Sequence, residues 1–404
     1  MNVKLLAPPF ARAATAAGSA ATALWTFPSM LLSAFLVAWG AEAAQFLISQ
    51  GLALAVLAWL QTLPEAAVEG VIAWQAGKDP ARTHLAIANL TGAIRLLIGL
   101  GWPMIYVVAA VSRRRRGEGA LGAIVLEREH AVEVIGLVPP LLWFVVIWWK
   151  QTITVVDSGI LLTLYAAYLW VLWQHPAHDA EEISEAPAVA RWAYNLGGAR
   201  RGFAIAGLFV AGGVLLYVTA APFLESMLAV ATMMGVSQFV FVQWVAPFLS
   251  EFPEKVSAFM WAKRVSHAPM ALMNMVSSNI NQWTVLAAMI PIVYGWSHAA
   301  AHGDFVPFAF DGSQVHEIAL TIAQSALATV LLMDLKFRWH EAALLFVLWL
   351  VQFLVPSLRV DITMVYGAWT AVLLALMAAG RRGCPAPRVF LEIFRANRAR
   401  NQKA

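Results

Sequence analysis

The sequence predicts an all-α membrane protein of about 10–11 transmembrane helices, arranged as two halves of opposite topology. Three observations predict it. Of 404 residues, 61% are hydrophobic and only 12% are charged, against about half and about a quarter in a soluble domain. The apolar residues gather in runs long enough to cross a bilayer, which takes about 20 residues of helix. One long polar segment, about 175–201 with Asp179, Glu181, Glu182, Glu185 and Pro187, separates five such runs from the rest. A soluble enzyme is excluded as the default reading.

Taken in order, the candidate spans are about 23–47, 51–77, 83–110, 131–149, 158–174, 202–224, 227–261, 269–297, 316–333, 341–356 and 360–379. Tryptophans sit near their ends (Trp148, Trp149, Trp170, Trp173, Trp296, Trp339), where an amphipathic ring settles at the lipid–water boundary. The start, with Lys4 and Arg12, has some signal-peptide character, but the later spans keep the chain in the membrane. The single cysteine, Cys384, leaves no disulfide or Cys-based metal site.

Lys and Arg orient the chain. With the N-terminus outside, the cytoplasmic segments hold 19 of the 27 basic residues and the outer ones hold 6, with Arg95 and Lys255 inside spans. The C-terminus is then cytoplasmic, in an integral membrane protein of bacterial inner or plasma membrane type. The organisation expected is a first membrane half 1–174, a cytoplasmic linker 175–201, a second half 202–356, and an extra C-terminal helix with a basic tail over 357–404. Five spans before the linker make the second half enter in the opposite sense, as an inverted-repeat transporter requires.

Two spans repeat a signature. Leu60-Gln61-Thr62-Leu63-Pro64-Glu65 and Leu249-Ser250-Glu251-Phe252-Pro253-Glu254 each place Pro-Glu within an apolar helix. Asn89 follows Glu65, and Asn279 follows Glu254, after a polar turn (77–83 and 262–268). A carboxylate near mid-bilayer costs at least about 2.5 kcal/mol, so it faces a partner or a water-filled cavity. Proline frees backbone carbonyls of the preceding turn. Carboxylate, hydroxyl and carbonyl oxygens together suit a hard cation. A single proline kink with one polar residue is ordinary packing; two copies in opposed halves point to function.

Both segments resemble the alpha repeats of the sodium/calcium exchanger (cation/calcium antiporter) superfamily. That pattern is Gly-Thr-Ser-Leu-Pro-Glu, then, past a turn, Gly-Asn-x-x-Gly-Ser-Asn-Ile-Phe-Asn. Glu65 and Glu254 match its two central carboxylates, Thr62 and Ser250 its hydroxyl positions, Asn274, Ser278 and Asn279 its second-repeat Asn, Ser and Asn, and Asn89 only the last of those three in the first repeat. The match covers about 50–110 and 235–297. The chain departs from it at Gln61, Thr83, His84, Ala88 and Gly92 in the first repeat, and at Glu251 and Gln282 in the second. The first repeat thus has fewer ligands and the second an added carboxylate.

The resemblance implies a sodium/calcium exchanger-like fold and a secondary active cation antiporter rather than an enzyme. It would move Ca2+, Na+ or H+ by alternating access at a midplane site built around Glu65 and Glu254. The implied cation ligands are Glu65, Glu254, Thr62, Ser250, Glu251, Asn89, Ser278, Asn279 and Gln282. Partners are the lipid bilayer and inorganic cations, with no nucleic acid and no cofactor beyond the transported ions. Arg95, one turn beyond Gly92, either neutralises Glu65 or Glu69 or pairs structurally; the former favours a monovalent or proton-coupled mode. Glu69 shares the face of Glu65, as a supporting acid or proton acceptor, or else faces the polar turn at Gly77. Lys255 points elsewhere on its helix. The alternative reading is a non-transporting membrane binding or regulatory protein that retains the fold.

Overall fold

The computed structural model describes residues 20–44, 46–47, 62–174 and 186–401. Outside them lie Lys4, Arg12, residues 51–61 of the second expected span with Gln61, the linker residues His175, His178, Asp179, Glu181, Glu182 and Glu185, and Lys403. In chain order the helices of the first half are α1 (Ala23–Ala44), α2 (Leu63–Lys78), α3 (Ala86–Leu96), α4 (Trp102–Arg115), α5 (Ala131–Gly136), α6 (Val138–Lys150) and α7 (Val155–Trp173). Those of the second half are α8 (Ala188–Asn195), α9 (Gly198–Met233), α10 (Gln238–Ser250), α11 (Phe252–Lys263), α12 (Ala268–Asn281), α13 (Ala287–His302), α14 (Gly312–Leu332) and α15 (Trp339–Leu354). Helices α16 (Arg359–Ala378) and α17 (Ala386–Asn401) close the chain.

Among the described residues, eight helical stretches are long and apolar enough to cross a membrane. The remaining three expected spans are α2, the broken pair α10–α11, and α15. One boundary differs from expectation. Helix α9 runs on past Glu225 to Met233, and the chain turns only at Gly235, whose φ is +67°. Glu225 sits inside a helix because Arg82 donates to it and to Gln75, so its charge has a partner. The prolines also differ from expectation. Pro64 and Pro253 each lie in the first turn of a helix, where a missing N–H costs nothing; α10 ends at Ser250 and Glu251 stands between two helices.

Local chemistry sets the other ends. Thr154 and Asp157 cap α7 reciprocally, Thr154 N–H donating to Asp157 at 2.7 Å. Asp311 and Gln314 do the same for α14, at 2.8 and 2.9 Å. Outward faces carry exposed apolar side chains such as Phe203, Val210 and Val214, and Trp149, Trp170, Trp173, Trp296 and Trp339 are exposed, as lipid-facing and interfacial residues are.

The two halves repeat one plan. Helices α2 and α11 end at Lys78 and Lys263. Extended breaks follow at Asp79 and Arg264, π-helical turns begin at Leu97 and Gln282, and straight helix resumes at Trp102 and Ala287. In every case the interval is 185 residues (263 − 78, 264 − 79, 282 − 97, 287 − 102). The packing is exchanged between halves: α2 lies along α13 and α11 along α4. So are the short strands. Strand β1 (Ala123–Val125) pairs with β4 (Lys336–Arg338), and β2 (Thr152–Ile153) with β3 (Phe308–Ala309). Strands β1 and β2 flank α5–α6 while β3 and β4 flank α14, so the two sheets lie at opposite ends of these helices.

Candidate functional site

The common interval assigns partners to the buried carboxylates. Glu69, fully buried, accepts a hydrogen bond from Asn89 Nδ2 at 2.8 Å, across 20 residues. Glu254 accepts from Asn274 Nδ2 at 3.2 Å, again across 20 residues, and from Ser278 Oγ. Glu69 and Asn89 are therefore the counterparts of Glu254 and Asn274 (254 − 69 and 274 − 89, both 185). This corrects the register of the repeat. The two Pro-Glu dipeptides are four residues out of step, and Glu65 falls opposite Ser250. Glu69 does not face the polar turn at Gly77; it faces Asn89. Its Oε1 and Asn89 Oδ1 are buried with no partner among the described residues.

A second group of acids lies one turn away. Glu65 is 4% exposed, with Glu251, Glu254 and Lys255 as its charged neighbours. Its Oε1 has no hydrogen-bond partner among the described residues. Glu251, in the gap between α10 and α11, accepts from Gln282 Nε2 at 2.7 Å and from Lys255 Nζ at 2.5 Å. Lys255 thus belongs to the site, contrary to the expectation that it points elsewhere: four residues on, it stands on the face of Glu251. Beside this group a cavity is lined by Glu42, Pro64, Ser250, Glu251, Glu254 and Ser257. Ser257 donates to Glu42 at 3.1 Å across it.

The other expected ligands are placed as follows. Thr62 precedes α2, and its carbonyl accepts from Ala66 N–H. Ser250 lines the cavity, but its hydroxyl donates to the Ala246 carbonyl at 3.0 Å. Asn279 Nδ2 donates to Gln282 Oε1 and, across 185 residues, to the carbonyl of Ile94, its own counterpart in the first half. Its Oδ1 is buried without a partner among the described residues. No three carboxylate, imidazole or thiol groups converge as a metal cluster among the described residues. A cation held here would draw on amide, hydroxyl and carbonyl oxygens beside its carboxylates, the donor set of a hard ion.

Arg95 neutralises neither Glu65 nor Glu69. It is fully buried and donates to Glu317 Oε2 at 2.5 Å, to Gln352 Oε1 at 2.8 Å and to the Thr91 carbonyl at 3.2 Å. Arg359 binds the other oxygen of Glu317 and donates to Gln243 at 3.1 Å. Sequence reasoning missed Glu317, Gln243 and Gln352, and counted Arg359 as a topology signal. The available signal was a glutamate within the ninth apolar run, where a lone charge demands a partner.

Two opposed repeats that meet in amide-paired carboxylates, Glu69 buried and Glu254 half-buried, define a secondary transporter of the inverted-repeat class. The family model described as sodium/calcium exchanger protein matches residues 18–174 and 204–358, and the chain belongs to the sodium/calcium exchanger family of cation antiporters. The crystal structure of the H+/Ca2+ exchanger CAX is similar over 94% of this chain and 91% of that one, at 30% identity and a TM-score of 0.83. The sodium-calcium exchanger NCX_Mj shares the fold at 16% identity, over 83% and 97% of the two chains, with a TM-score of 0.51. Native YfkE does so at 15% identity, over 82% and 92%, with a TM-score of 0.53. Among curated proteins, none matches the chain.

Proposed function

We propose that the chain exchanges calcium for protons by alternating access, with Glu69 and Glu254 as its two equivalent carboxylates. The observation that carries this is the matched pair Glu69–Asn89, buried, and Glu254–Asn274, half-buried, at the same point of two opposed repeats. Glu65, Glu251, Ser278, Asn279 and Gln282 complete the cation's surroundings. Protons are the natural exchange partner because three buried carboxylates and one buried ammonium (Glu65, Glu69, Glu251, Lys255), with the half-buried Glu254 beside them, crowd a water-poor region. All of them charged at once would cost more than the fold can bear. A divalent ion supplies the missing charge when protons leave. Likeness to the H+/Ca2+ exchanger CAX supports the choice of ions. With Arg95 committed to Glu317, one of the two reasons for favouring a monovalent ion falls away.

The orientation we propose has the N-terminus outside and the basic tail in the cytoplasm. The two membrane halves meet at the central linker, and α16 and α17 lie beyond the family match. The test is calcium uptake into sealed proteoliposomes under an imposed proton gradient. Wild type should accumulate calcium as the gradient collapses. Glu69→Gln and Glu254→Gln should each lose uptake by roughly a hundredfold, the loss of about 3 kcal/mol for a buried charged ligand. Uptake driven by sodium but not by protons would replace the coupling ion. Uptake surviving both substitutions would sink the reading.

A further inference from the structure

Lys255 is a cation already inside the cation site. The residue is 6% exposed, and its ammonium sits 2.5 Å from Glu251 Oε2. Glu251 has no other free oxygen, because Oε1 takes Gln282 Nε2 at 2.7 Å. Next to Glu251 in the cavity wall stands Glu254, one oxygen of which holds Asn274 and Ser278. Glu65 comes in from α2 and Glu42 from α1, so every other charged group facing the ammonium is acidic. The counterpart of Lys255 in the first half (255 − 70 is 185) is Gly70, which carries no side chain. The lysine is thus an addition to one half of a two-fold plan. A buried ion pair contributes little net stability compared with apolar residues of the same volume, so packing does not account for it.

We propose that Lys255 is a tethered counter-cation that competes with the transported ion for Glu251. In the empty transporter its ammonium occupies Glu251. A divalent ion that engages Glu251 and Glu254 together displaces it, and the flexible four-carbon stem lets the ammonium swing away without moving the backbone. Binding is then an exchange of one cation for another. The lysine sets the affinity low enough for release and keeps Glu251 paired when the ion has gone. This rests on the cation-antiport reading and deepens it.

Calcium binding to the purified full chain by isothermal titration calorimetry tests the idea, with wild type beside Lys255→Gln, Lys255→Arg and Glu254→Gln. Removing the competing charge should tighten calcium binding by about tenfold or more, the scale of one unit charge a few ångströms away. Lys255→Arg keeps the charge and should stay near wild type. A Lys255→Gln affinity equal to or weaker than wild type overturns the proposal. If Glu254→Gln still abolishes binding in that case, the antiport reading stands. If wild type neither binds nor transports calcium, both fall together. A calcium-loaded structure of the wild-type protein gives a readout independent of how the variants fold. The ammonium should be found withdrawn from Glu251, and an intact Lys255–Glu251 pair beside bound calcium would refute the proposal.

Discussion

Arg95, Glu317 and Arg359 show how a buried charge is kept where it cannot reach water. Each nitrogen of Arg95 has an acceptor, and both oxygens of Glu317 are taken by arginines. Breaking one member of such a cluster strands the others, at a cost of about 3–5 kcal/mol. Arg95→Met should therefore lower the thermal midpoint in detergent markedly. In the surviving folded fraction, calcium affinity should be unchanged, because the arginine faces Glu317 and not the carboxylates of the site; a changed ion preference would show that the charge is felt there. At this scale the sequence was partly legible. Acids in apolar helices were visible as candidates, and Glu65, Glu251 and Glu69 are buried while Glu254 is half-buried beside them. Which acid matches which was not visible. Two Pro-Glu dipeptides look like a register mark, yet the true interval is carried by helix ends and by a Glu followed by Asn at 20 residues in each half, a spacing that the more conspicuous Pro-Glu mark hides. Lys255 was misplaced because its partner lies four residues before it rather than across the site.

Helix α3 shows at the level of the element why a glycine stands at position 92, which the corrected register aligns with the glycine of the family pattern, three residues after its first Asn. At Gly92 an added Cβ would lie 1.7 Å from the carbonyl oxygen of Gln243. Backbone fills the space any side chain would need, and helices that approach this closely require a residue without one. Gly92→Ala should cost at least about 3 kcal/mol, beyond ordinary overpacking because the obstacle is backbone. It should appear as loss of folded yield and of the α3–α10 contact, while Gly213→Ala on the open face of α9 should be silent. Normal yield and melting of Gly92→Ala would contradict the closeness of these helices. Spans long and apolar throughout were read with boundaries a few residues from the real ones. The exceptions have a physical cause. Glu225 reads as a helix end until its partner Arg82 is known, 143 residues away in sequence. Glu251 reads as mid-helix until Pro253 is seen to begin a new one.

The whole molecule is two copies of one plan, inverted and laced together. The odd number of spans before the linker was enough to anticipate the inversion from sequence, and the family match on both sides of residues 175–203 agrees with it. The lacing was not legible, because strands of two or three residues carry no pattern that survives among loops. Both short sheets join one half to the other, as does the exchange of α2 with α13 and of α11 with α4. Separate expression of residues 1–180 and 181–404 in one cell should therefore give two fragments that co-purify and regain calcium flux, whereas either alone should be degraded. Independent survival of the first fragment would show that the halves do not depend on each other. The same lacing bears on birth as well as on stability. While the ribosome is still making the second half, the first sits in the membrane with β1 and β2 lacking their mates and α2 without its neighbour. For that interval it depends on whatever shelters a nascent chain, and the protein becomes a transporter only when its last strand arrives.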